Sequence, residues 1–265
     1  MEQSFNDTSK SHYSFGDNRL AALRLEYLAA TFALSSRRFL EGTKPGRVER
    51  VLDLGSGIGA TTALVRDVTN ASWVAGYERS SNFLAIARGR YPELTFRDID
   101  VLSPAYPDRE ADLIYCRFLL THIHRPADVL TTSIQHLRSG GRLIIEETAA
   151  MFSPLPALSR YYDLVKQLQA HHGQETLIGQ SLGALAAGVS GGRTTSVLQE
   201  ITVAAAVMAR LHAMNLATWK ADPFMLETHG LSALEDLEGE LTAIAATSDF
   251  PEGRCVMAQV CIERT

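Results

Sequence analysis

A glycine-rich stretch directly after a short apolar run most constrains what this chain can fold into. It extends from Val51 to Ala60 and reads VLDLGSGIGA, with three glycines in five positions. The apolar run predicts a buried strand over Arg50–Leu54, and the residues after the glycines predict a helix over Ala60–Val68. Glycine permits sharp, left-handed turns, and the N–H groups at a helix start can reach a bound ligand. The stretch therefore predicts a ligand-binding turn between a strand and a helix.

Two classes of ligand fit this turn. From Gly55 to Ala60 it satisfies the dinucleotide pattern G-x-G-x-x-G/A, and Glu78 follows about twenty residues later, where that pattern places an acid for a ribose hydroxyl. This match favours an NAD(P)-dependent dehydrogenase. Asp53, two residues before the first glycine, favours a cationic ligand instead, because a carboxylate repels a diphosphate and attracts an ammonium or sulfonium group.

The chain up to residue 150 alternates strands and helices, which predicts a parallel sheet with helices on both faces. The further strands of this part are predicted over Ser72–Glu78, Leu94–Ile99, Ala111–Arg117 and Arg142–Glu147. A helix with Pro126 in its first turn is predicted to end at Ser139–Gly141, where glycine serves as the cap. Ligands of open α/β sheets bind beyond the carboxyl ends of the strands, where Glu78 and Asp98 fall.

These motifs together resemble the class I S-adenosylmethionine-dependent methyltransferases over residues 48–148. The first motif of that family resembles Asp53–Gly59, and the second, an acid-x-Ser pattern, resembles Glu78–Ser81. Asp98, the histidine His122 after the fourth strand and the Gly-Gly turn before the fifth resemble the later motifs. The resemblance implies a Rossmann-like, mostly parallel seven-stranded sheet with helices on both faces and a helical cap.

The resemblance also implies S-adenosylmethionine as cofactor and assigns residues to it. The glycines cradle the cofactor, Glu78 binds its ribose, and Asp98 binds its adenine, although the run Asp98–Asp100 leaves open which acid does so. Asp53 holds the amino-acid end through water or the loop backbone, and Tyr13 or Arg24 closes over the cofactor carboxylate. The predicted cofactor-binding residues are Asp53, Gly55, Ser56, Gly57, Gly59, Glu78, Arg79, Asp98, Ile99, Cys116 and Tyr13.

Methyl transfer from a sulfonium is an in-line displacement that depends mainly on alignment, so the need for a base depends on the acceptor. His122 is the predicted catalytic base, because an imidazole with an unperturbed pKa near 6.5 can take up a proton at neutral pH. The predicted substrate-binding residues are Arg117, Glu147, Tyr161 and His171. No metal site is predicted, because two histidines two residues apart, His122 and His124, suit a strand, whereas these two begin a helix.

Three regions are predicted. Residues 1–47 form an N-terminal helical lid, with helix over Leu20–Leu40, and residues 48–150 form the S-adenosylmethionine-binding core. Residues 151–265 contribute helical cap segments and the last two strands, Thr195–Ala204 and Arg254–Glu263, which complete the sheet. The cap helices are predicted over Pro154–His171, Leu177–Val189, Ala205–Leu216 and Leu231–Ala246.

Composition narrows the classes of molecule that the protein is expected to bind. A net charge of −5 over 265 residues disfavours nucleic acid, which requires a basic face, and favours a small-molecule acceptor. Three cysteines without paired spacing predict free thiols, and the absence of a long apolar run predicts a cytoplasmic protein without membrane contact. The predicted function is methyl transfer to N, O or C of a small molecule, plausibly in specialised metabolism. A dehydrogenase, a non-catalytic cofactor-binding protein and a homodimer stay open.

Overall fold

A computed structural model describes residues 16–265, so the predicted cofactor contact Tyr13 lies outside the described residues. This part of the chain forms a seven-stranded sheet in the order β3-β2-β1-β4-β5-β7-β6. β1 to β5 run parallel, and β7 is antiparallel to both of its neighbours. The strands are β1 Arg50–Leu54, β2 Trp73–Glu78, β3 Thr95–Asp98, β4 Ala111–Arg117, β5 Leu137–Phe152, β6 Gly192–Val203 and β7 Gly253–Arg264. The predicted Rossmann-like architecture is confirmed.

Helices cover the two faces of the sheet and extend beyond it. In chain order they are α1 Arg19–Thr43, α2 Ala60–Thr69, α3 Ser81–Arg90, α4 Pro126–His136, α5 Pro156–His171, α6 Gly179–Ala187, α7 Ala205–Trp219, α8 Pro223–His229 and α9 Leu231–Ala245. A one-turn 3₁₀ helix at Leu120–His122 follows β4. Side-chain caps set two of the starts: Asn18 accepts the Ala21 N–H at the start of α1, and Ser80 accepts the Phe83 N–H at the start of α3.

The alternation of side chains along the central strands sorts the core onto two faces. On one face Leu54, Ile114 and Ile145 pack with α4 and α6. On the other face Val51 and Leu113 pack with residues of α1 and α2. Because the central strands are covered on both faces, they are almost continuously buried, as parallel strands in α/β folds are. This packing holds the carboxyl ends of the neighbouring strands β2, β1 and β4 side by side at one end of the sheet.

The end of α4 differs from its prediction. The helix stops at His136, and β5 begins at Leu137, so Ser139–Gly141 lies in the strand and does not cap the helix. Gly140 has a φ of +72°, and a Cβ on Gly141 would lie 2.9 Å from the Ala111 carbonyl oxygen. The two glycines therefore permit an irregularity in which β5 shifts register against β4.

The helices after β5 separate into two groups. α5, α7, α8 and α9 share a hydrophobic cluster of their own, with Leu158, Met208, Trp219 and Leu237 among its buried members. α6 instead packs against β5, β6 and β7 through Leu182 and Ala186, which belong to the core of the sheet. The prediction that Leu177–Val189 forms part of the cap is therefore wrong. We call α5, α7, α8 and α9 the helical cap.

No helix within residues 16–265 combines the length and the apolar character that crossing a membrane requires. The three cysteines, Cys116, Cys255 and Cys261, are buried free thiols, as their spacing predicted. Their pKa values are raised, chiefly because burial disfavours the thiolate.

Candidate active site

A cavity of about 680 Å³ opens at the carboxyl ends of the parallel strands and reaches under the helical cap. This volume lies within the range of small-molecule sites. The glycine turn, the end of β2 and the segment after β3 bound one part of the cavity, and α5 and α7 bound another. α1 contacts both the turn, through Leu25 beside Gly57, and α7. The cavity thus joins the predicted cofactor-binding elements to the cap.

All three glycines of the turn have left-handed backbones, with φ of +67° at Gly55, +52° at Gly57 and +86° at Gly59. Three N–H groups of the turn are already bonded within the protein. Ser56 donates to the Tyr77 carbonyl, Gly59 to the Ser56 carbonyl, and Gly57 to the Glu78 carboxylate. These amides do not form the open set of donors that would receive a phosphate.

The space left by the missing Cβ atoms is filled by protein side chains. A Cβ on Gly55 would lie 2.8 Å from Leu119, and a Cβ on Gly59 would lie 2.8 Å from Phe96 and 2.9 Å from Tyr91. Gly55 and Gly57 line the cavity together with Ser56, whereas Gly59 lies outside its lining at the start of α2. The turn therefore needs glycine for backbone conformation and for packing as well as for ligand approach.

Glu78 ends β2 and faces the cavity, where the sequence predicted it. One carboxylate oxygen accepts the N–H groups of Arg79 and Ser80, both at 2.8 Å, and the other accepts the Gly57 N–H at 3.0 Å. A carboxylate offers about four acceptor positions, so roughly one is left for a ligand. Burial raises the pKa of Glu78 even though the three amides oppose it. Its role in ribose binding remains a prediction.

Asp53 is buried and is not part of the cavity lining. Its carboxylate accepts the hydroxyl groups of Thr61 at 2.7 Å and Thr62 at 2.6 Å, and so holds the first turn of α2 against β1. Burial raises its pKa to about 6, with the two threonine hydroxyls acting in the opposite direction. The structure thus gives Asp53 a scaffolding contact, and the predicted contact with the amino-acid end is not seen directly.

The acids beside β3 are placed differently from one another. Asp98 is exposed at the strand end, in register with Glu78, and lies outside the cavity lining. Ile99 and Asp100 line the cavity, and Asp100 pairs with Arg79 at 3.1 Å. Asp17, which accepts the Ser80 hydroxyl at 2.9 Å, adds a further acid to the same end. Adenine binding by Asp98 stays a prediction, and the acidic wall itself comes from Glu78, Asp100 and Asp17.

The turn after β4 is strained and anchored. Phe118 has a φ of +54°, which is uncommon for a bulky residue and indicates a constrained position. Glu147 on β5 accepts the Leu119 N–H at 2.8 Å and the Leu120 N–H at 2.6 Å. Glu147 is not in the cavity lining, and its contact with the acceptor remains a prediction. Its carboxyl instead fixes the turn that brings Phe118 and His122 to the cavity.

Glu147 should make stability depend on pH. Burial raises its pKa to about 8 from 4.5, so between these values the folded state holds a proton that the unfolded state has released. The free energy of unfolding therefore falls as pH rises through this window and levels off above it. We expect urea titrations from pH 5 to 9 to show wild type losing stability relative to Glu147→Gln, by at most about 1.4 kcal/mol per pH unit. The exposed control Glu227→Gln should run parallel to wild type, and a flat difference curve for Glu147→Gln would contradict the assignment.

His122, the predicted base, ends the 3₁₀ helix and lines the cavity. Its pKa is lowered to about 3, chiefly by burial and also by the nearby Arg24 cation. A hydrogen bond with the Gln174 side chain acts in the opposite direction. The sequence prediction relied on an unperturbed pKa, and this environment removes that premise. An imidazole with so low a pKa is a poor acceptor of a full proton at neutral pH.

The remaining predicted residues divide between cavity and core. Arg117 lines the cavity and donates to the Ser36 hydroxyl at 2.8 Å, and Tyr161 of α5 lines it from the cap. Cys116 is buried in the core of the sheet and does not line the cavity. His171 is exposed at the end of α5, stacked on Phe224 at 4.1 Å, and is also outside the lining. Their assigned roles remain predictions.

Two helix faces line the cavity. The α1 face belongs to the predicted lid and includes Arg24, which the resemblance assigned to the cofactor carboxylate, whereas the sequence patterns assigned no residue of α7 to the site. α1 contributes the residues Arg24, Leu25, Leu28, Ala29 and Phe32, and α7 contributes Met208, Leu211, His212 and Asn215. The α7 residues follow helical spacing, and a histidine and an asparagine on an otherwise apolar face were the available signal. Similarly, Arg24 is buried despite its charge, which periodicity alone does not reveal.

A family model described as a methyltransferase domain matches residues 18–185, more than half of the chain. The chain belongs to this methyltransferase domain family. The match includes α1, the glycine turn, the ends of β2 and β4 and Glu147, and it contains most of the residues that line the cavity. The predicted methyltransferase family is confirmed.

Individual methyltransferases resemble the chain more distantly. A trans-aconitate 2-methyltransferase from Rhizobium rhizogenes is 28% identical over 144 residues, covering 44% of this chain and 56% of that protein. A demethylmenaquinone methyltransferase from Beutenbergia cavernae is 30% identical over 122 residues, covering 46% and 49% respectively. The chain thus spans about half the length of these relatives. The structure of the cyclopropane synthase MmaA2 from Mycobacterium tuberculosis shares the fold, with a TM-score of 0.56, 16% identity, and coverage of 87% and 84%.

Proposed function

We propose that this protein transfers a methyl group from S-adenosylmethionine to a small-molecule acceptor bound under the helical cap. The observation that carries the proposal is the occupation of the glycine turn by the protein's own carboxylates. Glu78 takes the Gly57 N–H, and Asp53 takes the hydroxyls of Thr61 and Thr62 in the first turn of α2. In dinucleotide-binding folds this helix start receives the pyrophosphate.

Two carboxylates at that position disfavour a diphosphate and favour a ligand with positive charge. The carboxylates of Asp100 and Asp17 add to the negative charge at this end of the cavity. Ile99 and Leu102 supply an apolar surface beside them. Such a wall suits an adenosyl group that carries a sulfonium. The NAD(P)-dependent alternative is therefore not favoured by the residues present.

When bound, S-adenosylmethionine supplies an electrophilic methyl group, and the chain's own residues are left to bind, orient and exclude water. Glu78 binds the ribose through its remaining acceptor position. The anchored turn contributes Phe118, Leu119 and His122 to the cavity wall. α1 and the cap cover the acceptor and keep water out, so that alignment supplies most of the acceleration.

His122 acts in this scheme as a neutral hydrogen-bonding residue that positions the acceptor. Its low pKa leaves the ring uncharged at neutral pH, so it has one donor and one acceptor nitrogen, and the Gln174 side chain bonds one of them. An acceptor atom that already carries a lone pair, or that ionises readily, needs no further base.

The relatives' names support a small-molecule acceptor, since they specify trans-aconitate and demethylmenaquinone as compounds that those proteins methylate. The net charge of −5 is consistent with such an acceptor rather than with nucleic acid. The cytoplasmic location, the homodimer and the division into lid, core and cap remain predictions that accompany this proposal.

A thermal-shift panel tests the cofactor. We expect S-adenosylmethionine and S-adenosylhomocysteine to raise the melting temperature, because a ligand held at about one hundred times its Kd stabilises the folded state by about 2.7 kcal/mol. NAD and NADP at the same concentrations should leave it unchanged, because the turn's carboxylates repel their pyrophosphates. Stabilisation by NAD alone would overturn the proposal in favour of a dehydrogenase.

Turnover separates an enzyme from a binding protein. Transfer of a labelled methyl group to any member of a library of acids, phenols, amines and quinols would support the enzyme, with S-adenosylhomocysteine as the matched product. Cofactor binding without transfer to any compound would support the non-catalytic alternative.

A further inference from the structure

The cap end of the cavity contains polar groups that the cofactor proposal does not use. Along α7 the residues Met208, Leu211, His212 and Asn215 face the cavity, at the spacing of one helical face. His212 and Asn215 are 6% and 7% exposed, so both polar side chains are buried in the cavity wall. A helix face that only completed a hydrophobic core would carry apolar residues at these positions.

Three atoms of these two side chains are buried and have no hydrogen-bond partner among residues 16–265. They are both ring nitrogens of His212 and Oδ1 of Asn215. A buried polar atom without a partner costs about 1–3 kcal/mol, so native proteins seldom retain several side by side. Their position in a cavity wall indicates that a ligand completes their hydrogen bonds.

Neighbouring aromatic residues hold this pair of side chains in place. The Tyr161 ring stacks on His212 with centroids 4.1 Å apart, and the Tyr162 ring meets His212 edge-on at 5.3 Å. Asn215 donates its Nδ2–H to the Tyr161 hydroxyl at 2.5 Å. Rings packed in this way restrict rotation of the imidazole and the amide, so the unbonded atoms have fixed positions.

The protonation states of His212 and Tyr161 determine which ligand groups His212 and Asn215 can bind. Burial and the nearby Arg24 cation lower the pKa of His212 to about 3, so its ring is neutral and offers one N–H donor and one lone pair. Burial raises the pKa of Tyr161 to about 12, which keeps its hydroxyl protonated. The pair therefore provides donors and acceptors without a formal charge, beside a guanidinium that repels cations.

We propose that His212, Asn215 and Tyr161 form an acceptor subsite that binds a hydroxyl group of an otherwise apolar small molecule. A hydroxyl both donates and accepts, so it can accept the His212 N–H and donate to the Asn215 amide oxygen at once. Val165, Met208 and Leu211 provide the apolar wall for the rest of the molecule. The nearby Arg24 guanidinium disfavours an ammonium group at this end of the cavity. This inference rests on the proposed function, because it names the substrate class of the same cavity.

Binding of a matched pair of probes tests the subsite. The protein is first saturated with S-adenosylhomocysteine, and calorimetry then compares 4-ethylphenol with 4-ethylbenzylamine, which is an ammonium ion at neutral pH. We expect 4-ethylphenol to bind and to shift the His212 ring signals in nitrogen-15 spectra of histidine-labelled protein. We expect 4-ethylbenzylamine to do neither. Equal binding of both probes, or no saturable binding of 4-ethylphenol, overturns the proposal.

Variants connect that binding to the named residues. We expect His212→Phe and Asn215→Leu to weaken 4-ethylphenol binding about tenfold or more, because each removes a hydrogen bond to the hydroxyl. His212→Gln, which retains a donor and an acceptor, should recover part of it. The control His229→Phe changes a partly exposed cap histidine outside the cavity lining, and this variant should bind as wild type does. Wild-type affinity in His212→Phe overturns the proposal.

Affinity for S-adenosylhomocysteine is measured for every variant and serves as the check on folding. Variants that retain it are folded, and a loss of phenol binding in them belongs to the subsite. If wild type itself does not bind S-adenosylhomocysteine, the proposed function fails. If it binds the cofactor product but 4-ethylphenol leaves His212 unperturbed, only the subsite fails.

Discussion

Replacing Glu78 by alanine is expected to weaken S-adenosylhomocysteine binding about 10- to 150-fold, because a charge-assisted hydrogen bond contributes about 1.5–3 kcal/mol. Glu78 lines the cavity at the end of β2 and retains acceptor capacity after bonding three backbone amides. Isothermal calorimetry at a fixed salt concentration measures the change. Of the four acids that the sequence assigns to ligands, Asp53, Glu78, Asp98 and Glu147, only Glu78 lines the cavity, so its loss should have the largest effect on the cofactor.

Two further variants separate binding from loop support. Glu78→Gln keeps the size of the side chain but places an NH₂ group among N–H donors, so it should weaken binding nearly as much as alanine does. Glu49→Ala serves as the control, because Glu49 is exposed and precedes β1, at the end of the sheet opposite to Glu78. An unchanged Kd in a folded Glu78→Ala protein would remove Glu78 from the cofactor site.

The strand-turn-helix around the glycines could be predicted because every determinant is local. An apolar run, three glycines and a helix-forming segment lie within twenty residues, and the structure places β1 at Arg50–Leu54, as predicted. The same holds for β4, where the predicted and observed bounds agree. Such elements can be predicted because the conformational preferences of their residues and their hydrophobic pattern favour the same structure.

Residue roles depend on contacts that local patterns do not contain. The sequence predicts ligand contacts for Asp53 and Glu147, yet both carboxylates bind hydroxyl or amide groups of the protein. Glu147 bonds a turn nearly thirty residues away, and that pairing depends on the register of β4 with β5. Likewise, α7 lines the cavity together with α1, on which it packs although the two helices are far apart in the chain. Long-range packing therefore determined which polar residues line the site.

The pKa of His122 also depends on contacts that local sequence patterns do not contain. His122 has the position predicted for a base, but its burial and the nearby Arg24 make its ring a weak one. Because Arg24 lies on α1, nearly one hundred residues earlier, the pattern around His122 contained no sign of it. Its neutral ring and that of His212 give the cavity hydrogen-bonding capacity without acid-base capacity, which favours acceptors that react without loss of a tightly held proton.

Replacing Gly59 by alanine is expected to destabilise the fold by about 2–5 kcal/mol, which combines left-handed strain of about 1–2 kcal/mol with overpacking of about 1–3 kcal/mol. Its φ is +86°, and an added Cβ would lie 2.8 Å from Phe96 and 2.9 Å from Tyr91. Both neighbours are rings packed beside α3 and β3, so neither can move aside cheaply. Urea unfolding followed by circular dichroism measures the change.

Gly239→Ala is the matched control, since Gly239 lies within α9 with nothing within 4 Å of an added Cβ. Alanine there should stabilise the protein by about 0.5–1 kcal/mol, because glycine is the poorer helix former. The two variants make the same chemical change and should shift stability in opposite directions. Because Gly59 lies outside the cavity lining, the folded fraction of Gly59→Ala should bind S-adenosylhomocysteine with wild-type affinity. Wild-type stability with lost affinity would instead mean that Gly59 serves ligand approach directly, as the sequence pattern suggested.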